Sequence, residues 1–179
     1  MKKKILITGG AGFIGSNAAL KFASNGWQIY LIDNLSRKGG KINLNNLKKK
    51  IRITFYNCDI ENFKKLSSIV SKIKPQLIIH CAGQVAVTTS VKNPRLDFNS
   101  NATGTLNVLE SIRLRSKKSK LIFLSTNKVY GDVSNRLLKS NKKRYSFAGN
   151  LKNIDENYPL DLHSPYGCSK GAADQYVRD

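Results

Sequence analysis

The segment Ile5-Leu6-Ile7-Thr8-Gly9-Gly10-Ala11-Gly12-Phe13-Ile14-Gly15 constrains the fold more than any other part of the chain. An apolar run of strand type enters a turn with glycines at 9, 12 and 15. The first permits the tight turn, the second lets a phosphate approach the backbone, and the third lets strand and helix pack closely. The helix that opens here offers free N–H groups and its positive dipole end to an anion. Ile29-Tyr30-Leu31-Ile32 is the next strand, and Asp33 ends it about 20 residues on, where a carboxylate can accept both hydroxyls of an adenosine ribose. A carboxylate at that point repels a 2′-phosphate, although Arg37 and Lys38 lie close enough to complicate the preference.

The rest of the chain continues the alternation. Residues 13 to 24 carry Ile14, Ala18 and Phe22 on one predicted helix face. Ile53-Thr54-Phe55-Tyr56, Leu77-Ile78-Ile79 and Leu121-Ile122-Phe123-Leu124 read as strands. Phe63, Leu66, Ile69, Val70 and Ile73 mark a helix that Pro75 stops. Asn93-Pro94 reads as an N-cap and first helical position, followed by a helix bearing Phe98, Ala102, Leu106, Leu109 and Ile112. Continuous apolar strands separated by helices imply an α/β fold, a doubly wound parallel sheet covered on both faces. Residues 1–179 read as one dinucleotide-binding domain. The stretch from Gly131 to Ser164 shows no strong period, and its residues 134 to 154 carry six basic side chains and no acid. Pro165 opens a final helix.

Composition narrows the partners. The chain has 179 residues with 31 Lys and Arg against 11 Asp and Glu, a net charge of +20. The excess is mostly Lys in short clusters, such as Lys48-Lys49-Lys50 and Lys142-Lys143, with little aromatic interleaving. Readers of bases and phosphates lean on Arg forks and stacked rings, so the charge reads as a solvated surface and not as a nucleic-acid site. No apolar run approaches the length of a membrane span. Cys58, Cys81 and Cys168 are odd in number and show no CxxC spacing, which points away from disulfides and bound metal and toward a reducing, cytoplasmic compartment.

Tyr166 and Lys170 form a Tyr-x-x-x-Lys pair at the start of the last helix, on one face by their spacing. A nearby ammonium favours the phenolate form of a tyrosine, which can then take a hydroxyl proton. Ser125-Thr126 closes the fifth strand, at the sheet end where ligands of such folds bind, and Thr126 can hydrogen-bond the same substrate hydroxyl. Asp59, after the third strand, can accept an adenine amino group or cap the following helix, and the residues alone leave both open.

Together Thr8–Gly15, Asp33–Gly39, Cys81–Gln84, Asn101–Thr105, Ser125–Gly131 and Tyr166–Lys170 resemble the extended short-chain dehydrogenase/reductase family, in its sugar-nucleotide epimerase/dehydratase branch. The resemblance covers the whole chain in order and corresponds to the N-terminal part of such enzymes. It implies a Rossmann-like fold with NAD as cofactor. Gly9, Gly12, Phe13, Ile14 and Gly15 then hold the pyrophosphate, and Asp33, Asn34, Ser36 and Arg37 surround the adenosine ribose. Asp59 and Ile60 flank the adenine. Ala82, Gly83 and Gln84 line the nicotinamide side, with Asn101 and Ser125 nearby. Thr126, Tyr166 and Lys170 form the catalytic set, the last two also touching the cofactor. Gln84, Thr89, Thr126, His163 and Ser164 contact the sugar. Leu124 departs from a serine common in relatives.

The implied activity is epimerisation of a nucleotide sugar through a transient ketone. Residues 82–90, 125–131 and 163–176 imply CDP-paratose, inverted at C2, as substrate. Another nucleotide-sugar epimerase, a dehydratase or a non-catalytic NAD-binding module are the alternatives. Dehydratases of the branch usually carry an acidic pair after the threonine, where this chain has Asn127-Lys128. Relatives are homo-oligomers and continue into a substrate-binding region. The fold is therefore expected to stop short after the Tyr-x-x-x-Lys helix, and the 179 residues alone are expected to bind NAD weakly and turn nothing over.

Overall fold

The computed structural model describes residues 2–131, 138–148 and 153–179. Five parallel strands form one sheet in the order β3-β2-β1-β4-β5: β1 Lys4–Thr8, β2 Gln28–Asp33, β3 Ile53–Asn57, β4 Leu77–His80 and β5 Lys120–Phe123. The central strands β2, β1 and β4 are buried on both faces and are apolar on both sides, while the edge strands β3 and β5 keep exposed positions. Ile5, Ile7, Ile29 and Leu31 pack toward α1 (Phe13–Ser24) and α2 (Gly40–Lys50). Leu6, Ile32 and Ile78 pack toward α3 (Phe63–Ile73) and α6 (Gly104–Arg115). The chain winds outward through β2 and β3, then crosses back to lay β4 on the other side of β1. That reversal opens a crevice between the C-terminal ends of β1 and β4, the point at which such sheets bind ligands.

The five strands and the glycine turn agree with the sequence reading. The end of α3 does too: Asn62 caps its start by accepting from Lys65 N at 3.0 Å, and Lys74, with φ 46°, ends it before Pro75.

Other expectations are corrected in part. Ala18 and Phe22 of α1 pack against the core beside the buried Gly15 and Ala19, but Ile14 is exposed at the mouth of the crevice. The long helix after Asn93 is interrupted. Asn93 does cap α5 (Pro94–Phe98), but a π turn at Asn99–Thr103 separates it from α6. The π turn inserts an extra residue per turn, so the buried positions become Ala102, Thr105, Val108 and Ser111, while Phe98 and Leu106 are exposed. Two helices were not expected from the sequence: α2, and α4 (Val87–Lys92). Within the basic excursion, β6 (Leu138–Ser140) and β7 (Tyr145–Phe147) make an antiparallel hairpin, and residues 132–137 and 149–152 lie outside the described set. The final helix is α7, Ser164–Arg178.

The glycine turn tolerates no side chain. A Cβ on Gly15 would strike the carbonyl oxygen of Gly9 and lie 2.9 Å from Gly10 Cα, and both obstacles are backbone. Gly15→Ala is expected to cost about 3 kcal/mol in urea denaturation. A loss of only a few tenths would mean that the turn yields.

Candidate active site

The crevice is built by two backbone turns that nearly touch. Gly9 has φ 64°, and a Cβ there would sit 2.8 Å from Ala82 N. The loop after β4 can approach the loop after β1 only because position 9 is bare. Gly12 is the N-cap of α1 and supplies no capping side chain, which leaves the N–H groups of the first turn facing outward. Phe13 is 82% exposed beside Ile14, an apolar rim at the mouth of an anion-binding helix end. This bare, uncapped cradle fits a dinucleotide pyrophosphate.

Asp33 braces that cradle. Its Oδ2 accepts from Ala11 N at 3.0 Å and its Oδ1 from Leu35 N at 2.8 Å, which leaves one lone pair on each oxygen for ribose hydroxyls. Asn34 donates to Asp59 Oδ2 at 2.7 Å and accepts from the Ser36 hydroxyl at 2.7 Å. Asp59 Oδ1 accepts from Glu61 N, while the N-cap of α3 is Asn62, so Asp59 is not the helix cap. Arg37 is exposed, and no ion pair joins it to Asp33. The Ile60 side chain is buried against α6, where a Cβ on Gly104 would meet its Cδ1 at 2.5 Å.

On the other side of the crevice, α7 presents Tyr166 and Lys170, both buried. Lys170 Nζ donates to Leu124 O at 2.7 Å and lies 4.0 Å from the centroid of the Phe123 ring. Burial pushes its pKa down to about 8, against the opposing pull of Asp174, Cys81 and Asp97. Thr126 lies past the end of β5. Its oxygen accepts from Lys128 N at 3.3 Å, and its hydroxyl hydrogen remains available to a ligand. Ser125 is exposed beside it.

The expected sugar contacts are placed less uniformly. Thr89 is half-buried on α4, which packs against α7. His163 is exposed and pairs with Asp161 at 2.9 Å. Ser164 has φ 64°, and its oxygen accepts from Gly167 N. Gln84 is 9% exposed, donates to Ala86 O and Asp97 Oδ1 at 2.8 Å each, and accepts from Ala86 N. Both its amide hydrogens are thus engaged within the protein. Asn101 is likewise buried behind Gly83, with its Oδ1 unpartnered and 2.6 Å from where a Gly83 Cβ would lie.

Behind this wall lies a polar network absent from the sequence reading. Ala82 N donates to Thr8 Oγ at 3.3 Å, and Thr8 Oγ meets His80 Nδ1 at 2.6 Å. His80 Nε2 meets Thr105 Oγ at 3.0 Å, and Thr105 donates to Asn101 O at 2.6 Å. Since the Thr105 hydrogen is committed to Asn101, its oxygen accepts, which assigns the Nε2–H tautomer to His80. Burial, reinforced by the Lys170 charge, holds the His80 pKa down to about 3. Asp97, fully buried, accepts from Gln84, Asn101 and Ser169. A lone histidine ending an isoleucine run and a lone acid between Pro94 and Asn101 were the only traces of these groups in the sequence.

The family model described as GDP-mannose 4,6 dehydratase matches residues 6–179. The chain belongs to this family. CDP-paratose 2-epimerase of Salmonella typhi is 46% identical over 98% of the chain and 52% of its own length. UDP-glucose 4-epimerase of Bacillus subtilis is 32% identical over 98% of the chain and 47% of its own length. Among solved structures, the UDP-Glc/GlcNAc 4-epimerase of Campylobacter jejuni superposes with a TM-score of 0.83 at 31% identity, covering 99% of the chain and 48% of the epimerase. The Thermus thermophilus UDP-glucose 4-epimerase, in complex with NAD, gives 0.79 at 30% identity, covering 98% and 50%. The chain spans about half the length of the relatives it matches. Among the described residues, no helix is long and apolar enough to cross a membrane.

Proposed function

We propose that this chain is the cofactor-binding part of an NAD-dependent nucleotide-sugar epimerase whose substrate is CDP-paratose, inverted at C2. The observation that carries the reading is that Lys170 bonds Leu124 O and the start of α7, which bears Tyr166, lies against Lys128 beside Thr126, at the strand ends that also hold the bare glycine cradle. The 46% identity to a CDP-paratose 2-epimerase supports the choice of sugar. The α1 N-terminus and Gly12 would hold the pyrophosphate, Asp33 the adenosine ribose, and Ala82 and Gly83 the nicotinamide side. NAD, when bound, supplies reversible hydride acceptance from the sugar carbon.

The protein's own part is proton handling and orientation. Tyr166 takes the hydroxyl proton as the carbon is oxidised and returns it on reduction. Thr126 donates to the same oxygen and fixes its position. Lys170, a buried cation one turn further along the same helix, is held by its bond to Leu124 O. Inversion requires that the flat ketone present its second face before it is reduced.

Cofactor titration tests the first half of this reading. NAD should bind in preference to NADP, and Asp33→Ala should weaken NAD binding about tenfold and narrow the preference, since a charge-assisted hydrogen bond is lost. Tighter NADP binding by the unsubstituted chain would show that Arg37 and Lys38 dominate. For the second half, a chain extended to the length of its relatives is offered CDP-paratose beside UDP-sugars. Turnover of a UDP-sugar alone would refute the CDP-paratose assignment.

A further inference from the structure

We propose that Asp97 is a positioning residue for the Tyr166–Lys170 pair: its buried carboxylate ties α7, through Ser169, to the Gln84 loop and the π turn, and places a fixed negative charge behind Lys170. The inference rests on the roles given above to Tyr166 and Lys170. Asp97 itself touches neither substrate nor cofactor in that arrangement.

Three observations carry it. Asp97 is 0% exposed, and its oxygens accept from three side chains on three separate segments. Gln84 Nε2 is 2.8 Å from Oδ1, Asn101 Nδ2 is 3.2 Å from Oδ1, and the Ser169 hydroxyl donates to Oδ2. All three are neutral donors, so this buried carboxylate is satisfied by hydrogen bonds and has no salt-bridge partner among the described residues. Ser169 precedes Lys170 on α7, and it also accepts from Asn101 Nδ2 at 3.1 Å. Fixing Ser169 therefore fixes the turn that carries both active residues.

Hydrogen bonding alone does not require an acid here. With asparagine at 97, the amide oxygen could accept from Gln84 and Asn101. Ser169 could then turn its hydrogen to Tyr166 O, 3.2 Å away, and accept from the new amide group. What aspartate adds is charge. The ionisable groups around Lys170 are Tyr166 and Asp174 on its own helix, His80 and Cys81 at the end of β4, and Asp97 on α5. Of the two acids among them, Asp97 is fully buried and tied to other segments, whereas Asp174 shares the helix with Lys170 and moves with it.

The test uses the 179-residue chain and readouts that need no cofactor. Trace acylation followed by mass spectrometry gives the titration of Lys170 site by site, and hydrogen exchange gives the protection of the 166–170 amides. Asp97→Asn should leave unfolding cooperative and move the Lys170 titration down by about one unit. Ser169→Ala keeps the charge and should leave that titration in place, while protection at 166–170 falls about tenfold. An Asp97→Asn variant with the original Lys170 titration would reduce Asp97 to a packing group and overturn the proposal. If that variant does not fold, Ser169→Ala decides, and unchanged protection in α7 overturns it. Failure to bind NAD would sink the proposed function and leave the Asp97 result readable.

Discussion

Tyr166→Phe is expected to lower turnover on the order of 10³-fold in a chain extended to the length of its relatives, with NAD affinity unchanged. The substitution removes one oxygen from a side chain that is 8% exposed. The ring still packs within α7, and Lys170 keeps its bond to Leu124 O, so the cradle is undisturbed. What is lost is the group proposed to take and return the substrate proton. Steady-state kinetics with calorimetric titration of NAD separates the two effects. Near-normal turnover would remove Tyr166 from the proposed mechanism, and a parallel loss of NAD binding would show that the phenol holds the site together.

The second large effect is acid instability centred on His80. The ring is 1% exposed, and its pKa in the folded protein is about 3 against an ordinary value of 6.5. Below pH 6.5 the unfolded chain takes up a proton that the folded chain refuses until about pH 3. Stability from this group is therefore complete above 6.5 and is lost as the pH falls toward 3, by on the order of 5 kcal/mol in total. The refusal has a structural cause. A second ring proton would have to sit on Nδ1, which now accepts from Thr8, and the new charge would have no water and a Lys170 ammonium nearby. Urea denaturation at a series of pH values, with His80→Gln alongside, measures the slope. Equal slopes in the two proteins would place the acid sensitivity elsewhere.

Both effects arise from residues whose partners are remote in the chain, and that separates what could be read early from what could not. The strands were legible because each is a short, mostly apolar run bounded by turn residues, as expected of a parallel sheet. The glycine turn was legible because a bare Cα at 9, 12 and 15 has a local cause. Asn93 follows the same logic, since it caps a helix within three residues of itself. Where local pattern and tertiary packing part, the reading failed. Helix α2 turns only Leu44 and Leu47, with Gly40, toward the core, and its Lys residues, Asn45 and Asn46 face solvent, so its period was too thin to see. The stripe expected after Asn93 assumed an unbroken helix, and the π turn shifted it.

By itself the sequence determined a doubly wound sheet, a phosphate-binding turn, an acid at the end of β2 and a Tyr-x-x-x-Lys pair, because each depends on neighbours a few residues apart. Only the tertiary structure decided that Ile60 and Gln84 turn inward, that His80 is locked neutral between Thr8 and Thr105, and that Asp97 gathers donors from segments up to 72 residues away. Desolvation is the reason. A polar group's role depends on whether water or protein satisfies it, and that is settled by which segments close over it.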